Sequence, residues 1–229
     1  MTSLIAAAAF FLLIHFLVSG TRLREALVRK IGAGPYMGVF SLSSLAGLTW
    51  MILAYGRARG GGEQAVFWTS TPTTRSIQLG LMLVSLLFVV IGLATPNPTS
   101  VRQEKVLDRP DAVRGMLRIT RHPFLWGVAI WAGGHLLVNG DTASLILFGS
   151  LLILALFGTA SIDAKRKRAL GERWAAFAAQ TSNIPFAAIA AGRQSLRLGE
   201  VGWRIGLATL VWAALTGGHG YIFGVSALP

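Results

Sequence analysis

Six long runs of apolar residues with almost no charge constrain this chain more than any other feature. Such runs, when close to 20 residues long, span the hydrocarbon core of a bilayer as helices. They cover Ser3–Ser19, Tyr36–Tyr55, Ser76–Ala94, Pro123–Val138, Ser144–Ile162 and Val201–Thr216. The fourth run is short, roughly 24 Å as a helix, so five spans is the smaller number compatible with the pattern. The runs predict an all-α, polytopic membrane helical bundle of about six transmembrane helices.

Composition supports this class and excludes others. Hydrophobic residues make up 53% of the 229 residues and charged residues only 13%, about half the charged share of an ordinary soluble domain. The chain has no cysteine, which excludes disulfides, iron–sulfur clusters and zinc–thiolate sites. We find neither an internal repeat nor a long linker, and therefore expect a single domain over residues 1–229.

The net charge is +12, and the distribution of the basic residues between the loops indicates how the protein is oriented in the membrane. Of the 21 Lys and Arg residues, 17 lie in the first, third and fifth loops and three lie in the loops of the opposite side. By the positive-inside rule, the basic loops are cytoplasmic and both termini lie outside. The charge is not gathered on one solvated patch, so we expect the lipid bilayer as partner and no nucleic acid.

The third loop contains a pattern of apolar and basic positions between Arg109 and Arg118. The spacing is typical of an amphipathic helix, with Pro110 at its start. We predict an interfacial helix there, in contact with anionic lipid.

Two histidines lie inside apolar runs, where an ionisable group is expensive and therefore suggests function. His15 lies in the first run, and His135 lies in the fourth, after Trp131. Ala132 and Val128 share the helical face of His135 and leave low relief for a flat ligand. Two histidines on two helices, with no cysteine and few intramembrane carboxylates, favour haem b over zinc. His15 and His135 are therefore candidate metal ligands, with Trp131 beside the cofactor.

The remaining basic residues and histidines leave alternatives open. Arg22, Arg24 and Arg121 are candidates for binding the haem propionates. His15 and His135 differ by roughly 12 Å in predicted depth, so His122, at the cytoplasmic mouth of the fourth run, is a competing partner for His15. His219, near the outer C-terminus, is expected to be a solvated surface residue.

A series of motifs in order along the chain resembles the NnrU family of bacterial membrane proteins. These motifs are His15-Phe16, Thr21-Arg22-Leu23-Arg24, Phe40-Ser41-Leu42, Ile119-Thr120-Arg121-His122-Pro123, Trp131 to His135, Asp163-Ala164-Lys165-Arg166, Gly171-Glu172 and Thr181 to Ile189. The family is associated with nitrite and nitric oxide metabolism, and its relatives include plant 15-cis-zeta-carotene isomerase.

The resemblance implies a multi-pass protein of the bacterial inner membrane. It also implies a haem b whose two histidine ligands map by motif onto His15 and His135. The implied activity is redox-neutral cis/trans isomerisation of a carotenoid-like polyene, a hydrophobic small molecule that enters from the bilayer. A haem- or redox-linked role in denitrification, with a redox partner, is implied equally. Ala132 stands where the isomerase has a cysteine, so ligand switching through a thiol is not available.

Two further functions remain open. Arg121-His122-Pro123, followed by an aromatic and a glycine, also resembles the membrane methyltransferases that bind S-adenosylmethionine. There Arg121 and His122 would line the cofactor pocket, and Arg166 or Arg168 would meet its carboxylate. The third possibility is a non-enzymatic assembly or electron-transfer subunit whose basic loops dock a partner.

Overall fold

The computed structural model describes residues 1–61 and 64–228 and is helical throughout its regular structure. The α-helices are α1 (Thr2–Leu13), α2 (Leu23–Ile31), α3 (Ala33–Gly60), α4 (Pro72–Leu93), α5 (Pro123–Val138), α6 (Thr142–Leu170), α7 (Glu172–Gln180), α8 (Ala187–Ala190) and α9 (Trp203–Phe223). A π-helical segment, Ile14–Ser19, continues α1. Short 3₁₀ turns cover Glu104–Asp108, Gly115–Arg118 and Leu198–Glu200.

The helices confirm a polytopic membrane bundle. Five helical stretches in the described part of the chain are long and apolar enough to span a bilayer: Thr2–Ser19, Ala33–Gly60, Pro72–Leu93, Thr142–Leu170 and Trp203–Phe223. The fourth predicted run forms α5, which is apolar but has only 16 residues. Its bounds are those of the sequence prediction, and its shortness was expected. The orientation of the termini stays a prediction.

The described chain divides into two compact units, and the division falls within α5 and within α6. The first contains residues 1–70 and 135–154, and the second contains residues 71–134 and 155–229. The expectation of a single domain over residues 1–229 stays a prediction.

In the first unit, α1 packs against α3. One face of α1 is buried at helical spacing through Leu4, Ala7, Ala8 and Phe11. Gly47 permits the close approach, since a Cβ there would lie 3.0 Å from the ring of Phe10. At the far end of α3 the connecting chain pairs with the α5–α6 turn, where the Phe67 N–H donates to the Gly140 carbonyl at 2.8 Å.

In the second unit, α4 packs against both α5 and α9. The α4–α5 contact depends on Gly127, where a Cβ would lie 2.6 Å from a Val89 methyl. The buried Ser85 hydroxyl crosses the same contact and donates to the Gly127 carbonyl at 2.8 Å. The indole N–H of Trp212 on α9 donates to the Leu79 carbonyl of α4 at 3.2 Å.

The predicted amphipathic helix starting at Pro110 is wrong. Pro110 lies in a turn, and only a 3₁₀ turn forms later, at Gly115–Arg118. Gly115 has a φ of +55°, which an α-helix cannot include. Met116 and Leu117 are buried in protein cores. The apolar positions of this loop therefore contact the protein and not lipid.

Candidate functional site

His15 lies in the π-helical segment Ile14–Ser19. A π-helix shifts the hydrogen-bond register from four to five residues, and such segments are frequent at functional sites. The ring is half-buried, between Phe11 at 4.5 Å and Phe40 at 5.2 Å, measured between ring centroids. The imidazole is therefore fixed by aromatic packing within an apolar helix pair.

The hydrogen bonds of His15 define its tautomer. Nδ1 lies 2.7 Å from the Phe11 carbonyl oxygen, and because a carbonyl only accepts, Nδ1 carries the proton. In the neutral form of the ring the lone pair is then on Nε2, which lies 3.3 Å from the Ser44 hydroxyl of α3. A backbone carbonyl that holds one ring nitrogen while the other keeps its lone pair is the usual arrangement of metal-binding histidines.

His135 occupies a second aromatic environment in the same unit. Its ring is half-buried and stacks on Phe148 of α6, with centroids 4.7 Å apart and planes 24° apart. Phe148 in turn meets Tyr55 of α3 edge-on at 5.9 Å. The side-chain amide of Asn139 donates to the His135 carbonyl at 2.9 Å. The low relief predicted beside His135 is not found at Ala132, which is completely buried.

Both histidines are thus connected to α3, at two positions along its axis. His15 contacts it at Ser44, and His135 reaches it through Phe148 at Tyr55. Eleven residues separate Ser44 from Tyr55, a rise of about 16 Å. The two histidines match haem ligands in residue type and in their position inside apolar helices. Their sharing of one iron stays a prediction, and each needs its own test.

A polar network, which the sequence did not predict, surrounds Tyr55. The Tyr55 hydroxyl lies 3.1 Å from the Ser144 hydroxyl, and it accepts from Arg59 at 3.0 Å. Buried Asp141 accepts from the backbone and hydroxyl of Ser144, at 3.0 and 2.7 Å, and so caps α6. These contacts fix the tyrosine that supports Phe148. The Asp-x-x-Ser spacing before an apolar run was the available signal.

The predicted propionate ligands lie in different environments. Arg22 is exposed at the N-cap of α2. The guanidinium of Arg24 lies over the Tyr36 ring, 5.7 Å from its centroid. Both belong to the unit that holds His15. Trp131 is half-buried on α5, one turn before His135.

Arg121 and His122 form a second site, centred on Asp163 of α6. Arg121 donates to both carboxylate oxygens through Nε and Nη2, the shortest contact being 2.6 Å. His122 Nε2 lies 2.7 Å from Oδ1, and the Asn183 amide donates to Oδ2 at 3.3 Å. Arg121 also lies over the Trp174 ring at 5.9 Å. Three segments that are distant in sequence are therefore joined by one carboxylate.

Burial decides the protonation of His122. Only 2% of this residue is exposed, and burial lowers the pKa of His122 below its ordinary value although the Asp163 carboxylate opposes the change. The neutral ring donates through Nε2, and its buried Nδ1 has no hydrogen-bond partner among the described residues. Because Asp163 holds Nε2, we disfavour His122 as a haem ligand through that nitrogen.

The contacts of this second site also bear on the methyltransferase alternative. Arg121 and His122 are bound to Asp163, and Arg166 donates to Glu104 and, at 2.7 Å, to the Ser100 carbonyl. Arg121, His122 and Arg166 are thus engaged in contacts within the protein, whereas Arg168 is exposed. Within the described residues, no group of three or more His, Cys, Asp or Glu side chains forms a metal site. The candidate site therefore consists of the two intramembrane histidines.

His219 lies in α9, near its end, with Nδ1 2.7 Å from the Val225 carbonyl. Its ring is half-buried and packs on Phe223 at 4.7 Å. It is less exposed than the solvated residue that the sequence predicted, because the C-terminal turn folds back over it.

Two curated relatives are similar to this chain. The 15-cis-zeta-carotene isomerase of Arabidopsis thaliana, described as chloroplastic, is 33% identical over 112 residues, covering 48% of this chain and 30% of the relative. The protein of the same name from Zea mays is 29% identical over 177 residues, covering 76% of this chain and 47% of the relative. The chain therefore spans less than half the length of these relatives.

No solved structure shows significant similarity to the chain. The family model described as NnrU protein matches residues 3–227, nearly the whole chain. This match agrees with the motifs around His15, Arg121 and His135. The chain belongs to the NnrU family.

Proposed function

We propose that this protein is an intramembrane cis/trans isomerase of conjugated polyenes, acting on carotenoid-like substrates in the bacterial inner membrane. The relatives named as 15-cis-zeta-carotene isomerases supply the substrate class. The observation that carries the proposal is His15, an imidazole inside an apolar helix pair, with its Nδ1 held by the Phe11 carbonyl and its Nε2 beside the Ser44 hydroxyl.

We further propose haem b as the cofactor, which His15, through Nε2, and His135 would hold. Arg22 and Arg24, in the same unit at the basic end of α2, are the residues proposed to bind the propionates. When bound, haem would supply an iron that can interact with a double bond of the substrate and lower its rotational barrier. The chain needs no thiol for this role, which agrees with Ala132 in the position of the isomerase cysteine.

The protein side of the reaction is positioning and exclusion of water. Phe11 and Phe40 hold the His15 ring from two sides, and the Phe11 carbonyl prevents it from turning about its bond to Cβ. Leu13 and Leu17, on either side of His15, are each more than half exposed. An exposed apolar surface next to the ring is open to lipid, the phase in which a polyene dissolves. Isomerisation transfers no atom, so no proton donor is required beside the ring.

The test is conversion of 15-cis-zeta-carotene by the purified protein in lipid nanodiscs, followed by chromatographic separation of cis and trans isomers. The wild type should accumulate the trans isomer, and His15→Ala and His135→Ala should not. His219→Ala is the matched control, since this histidine also lies in a spanning helix but outside the proposed site, and it should keep wild-type conversion. No conversion by wild-type protein with bound haem would overturn the isomerase and favour the electron-transfer or denitrification role. No conversion by wild-type protein that stays colourless after haem supplementation would overturn both proposals.

A further inference from the structure

A cavity of about 310 Å³ lies in the second unit, between α7 and the loop that contains Arg109 and Pro110. Its lining includes the three arginines Arg109, Arg118 and Arg173 and the two glutamines Gln180 and Gln194. The volume is at the lower end of ligand-binding pockets, enough for a small headgroup-sized molecule. Neither the proposed isomerase site nor the Asp163 network contributes to this cavity.

The helix α7 forms one wall of the cavity. Arg173, Ala176, Phe177 and Gln180 all line it, and their spacing of three and four residues places them on one face of the helix. Phe177 and Trp174 are 3% exposed and pack with Leu117 in a core cluster. The wall is therefore anchored by buried aromatic residues, and its polar side chains extend from a rigid helix.

The lining carries three positive charges, two of which are paired with carboxylates outside the lining. Arg118 is held by Glu200 at 2.8 and 2.9 Å and by Gln194 Oε1 at 2.6 Å. Arg173 pairs with Asp108. Arg109 is exposed and forms no ion pair among the described residues. The lining includes no Asp or Glu.

The polar groups are donors of the kind that phosphate prefers. Guanidinium groups bind phosphate oxygens through paired, charge-assisted hydrogen bonds. The Oε1 of Gln194 accepts from Arg118. The Nε2 of the same amide remains a hydrogen-bond donor for a ligand. The loop between α4 and α5 and the chain from Lys165 onward carry 14 of the 21 Lys and Arg residues. By the positive-inside rule, we expect this face on the cytoplasmic side of the membrane.

We propose that this cavity binds a phosphate group, with Arg109 and Arg173 as the principal ligands. The source is either the headgroup of an anionic phospholipid or a soluble phosphate compound. Both present the same chemistry to the arginines, and the experiment separates them.

The experiment is native mass spectrometry of the full chain, released from nanodiscs of phosphatidylcholine with and without phosphatidylglycerol. In parallel, calorimetric titration measures binding of pyrophosphate to the detergent-purified protein. The variants are Arg109→Gln and Arg173→Gln. The control is Arg114→Gln, because Arg114 lies in the same loop but outside the lining and pairs with exposed Asp111.

The lipid source is supported if the wild type retains phosphatidylglycerol and each cavity variant binds it about tenfold more weakly. A tenfold loss is typical of one charge-assisted hydrogen bond. Saturable pyrophosphate binding with the same variant dependence supports the soluble source. The Arg114 variant should match the wild type in both assays. Equal binding by the wild type and all three variants, or no binding of either probe by a wild type with a cooperative thermal transition, overturns the proposal.

Discussion

The substitution Asp163→Asn should destabilise the protein more than any other single exchange of a carboxylate for an amide. Asp163 accepts from Arg121, His122 and Asn183, and the side chains of Arg121 and Asp163 are only 13% and 19% exposed. Removing one member of a fully buried ion pair costs roughly 3–5 kcal/mol, because the other charge is left without compensation. Asparagine keeps one acceptor oxygen, and the side chains at positions 121 and 163 retain some contact with water. We therefore expect a loss of about 2–3 kcal/mol.

The assay is thermal unfolding in detergent, followed by tryptophan fluorescence. For a chain of this length the loss corresponds to a melting temperature lower by about 4–12 °C. Asp111→Asn is the matched control: Asp111 pairs with Arg114 at 2.9 Å, but its side chain is 55% exposed, so its loss should cost less than about 0.5 kcal/mol. Equal melting temperatures for the Asp163 and Asp111 variants would refute the assignment of Asp163 as the centre of the second unit's ion-pair network.

Two further predictions concern pH and packing. The guanidinium of Arg118 lowers the pKa of Glu200 to about 2 from an ordinary value near 4.5, so the stability from this pair is complete above pH 4.5 and is lost as the pH falls toward 2. The melting temperatures of the wild type and of Glu200→Gln should therefore converge on acidification. A difference between the two melting temperatures that stays constant with pH would contradict this pairing. Gly127→Ala should destabilise the α4–α5 contact by about 1–3 kcal/mol through overpacking, because its Cβ would lie 2.6 Å from Val89. A Cβ at Gly133, on the same helix, would meet nothing within 4 Å, so Gly133→Ala should be neutral or stabilising by up to about 1 kcal/mol. An equal change of stability in both variants would contradict the close packing at Gly127.

The spanning helices could be predicted because their signal is local. A run of apolar residues long enough to cross a bilayer favours a spanning helix over other structures, and five of the six predicted runs form such helices in the described part of the chain. The predicted helix at Pro110 is wrong for the opposite reason. Its apolar residues are buried against distant segments, such as Val201 beside Met116, and spacing within the loop cannot distinguish a lipid partner from a protein partner.

The candidate site was predicted in its residue types but not in its contacts. The cost of burying an imidazole in lipid singles out His15 and His135, yet the π-helical turn, Ser44 and Phe148 depend on tertiary packing. Arg121 illustrates the same limit: its position suggested a propionate ligand, and the structure places it on Asp163, 42 residues later. A charge in a loop indicates that a partner exists, whereas its identity requires the fold.

The most direct test of the account is the visible absorption spectrum of the detergent-purified protein, oxidised and reduced, with a pyridine haemochrome assay of bound haem. The account predicts a low-spin b-type spectrum in the wild type and in His219→Ala, and loss or severe reduction of haem in His15→Ala and in His135→Ala. Full retention of haem in both of these variants would contradict the assignment of the ligands. A wild-type protein that remained colourless after haem supplementation would contradict the cofactor itself.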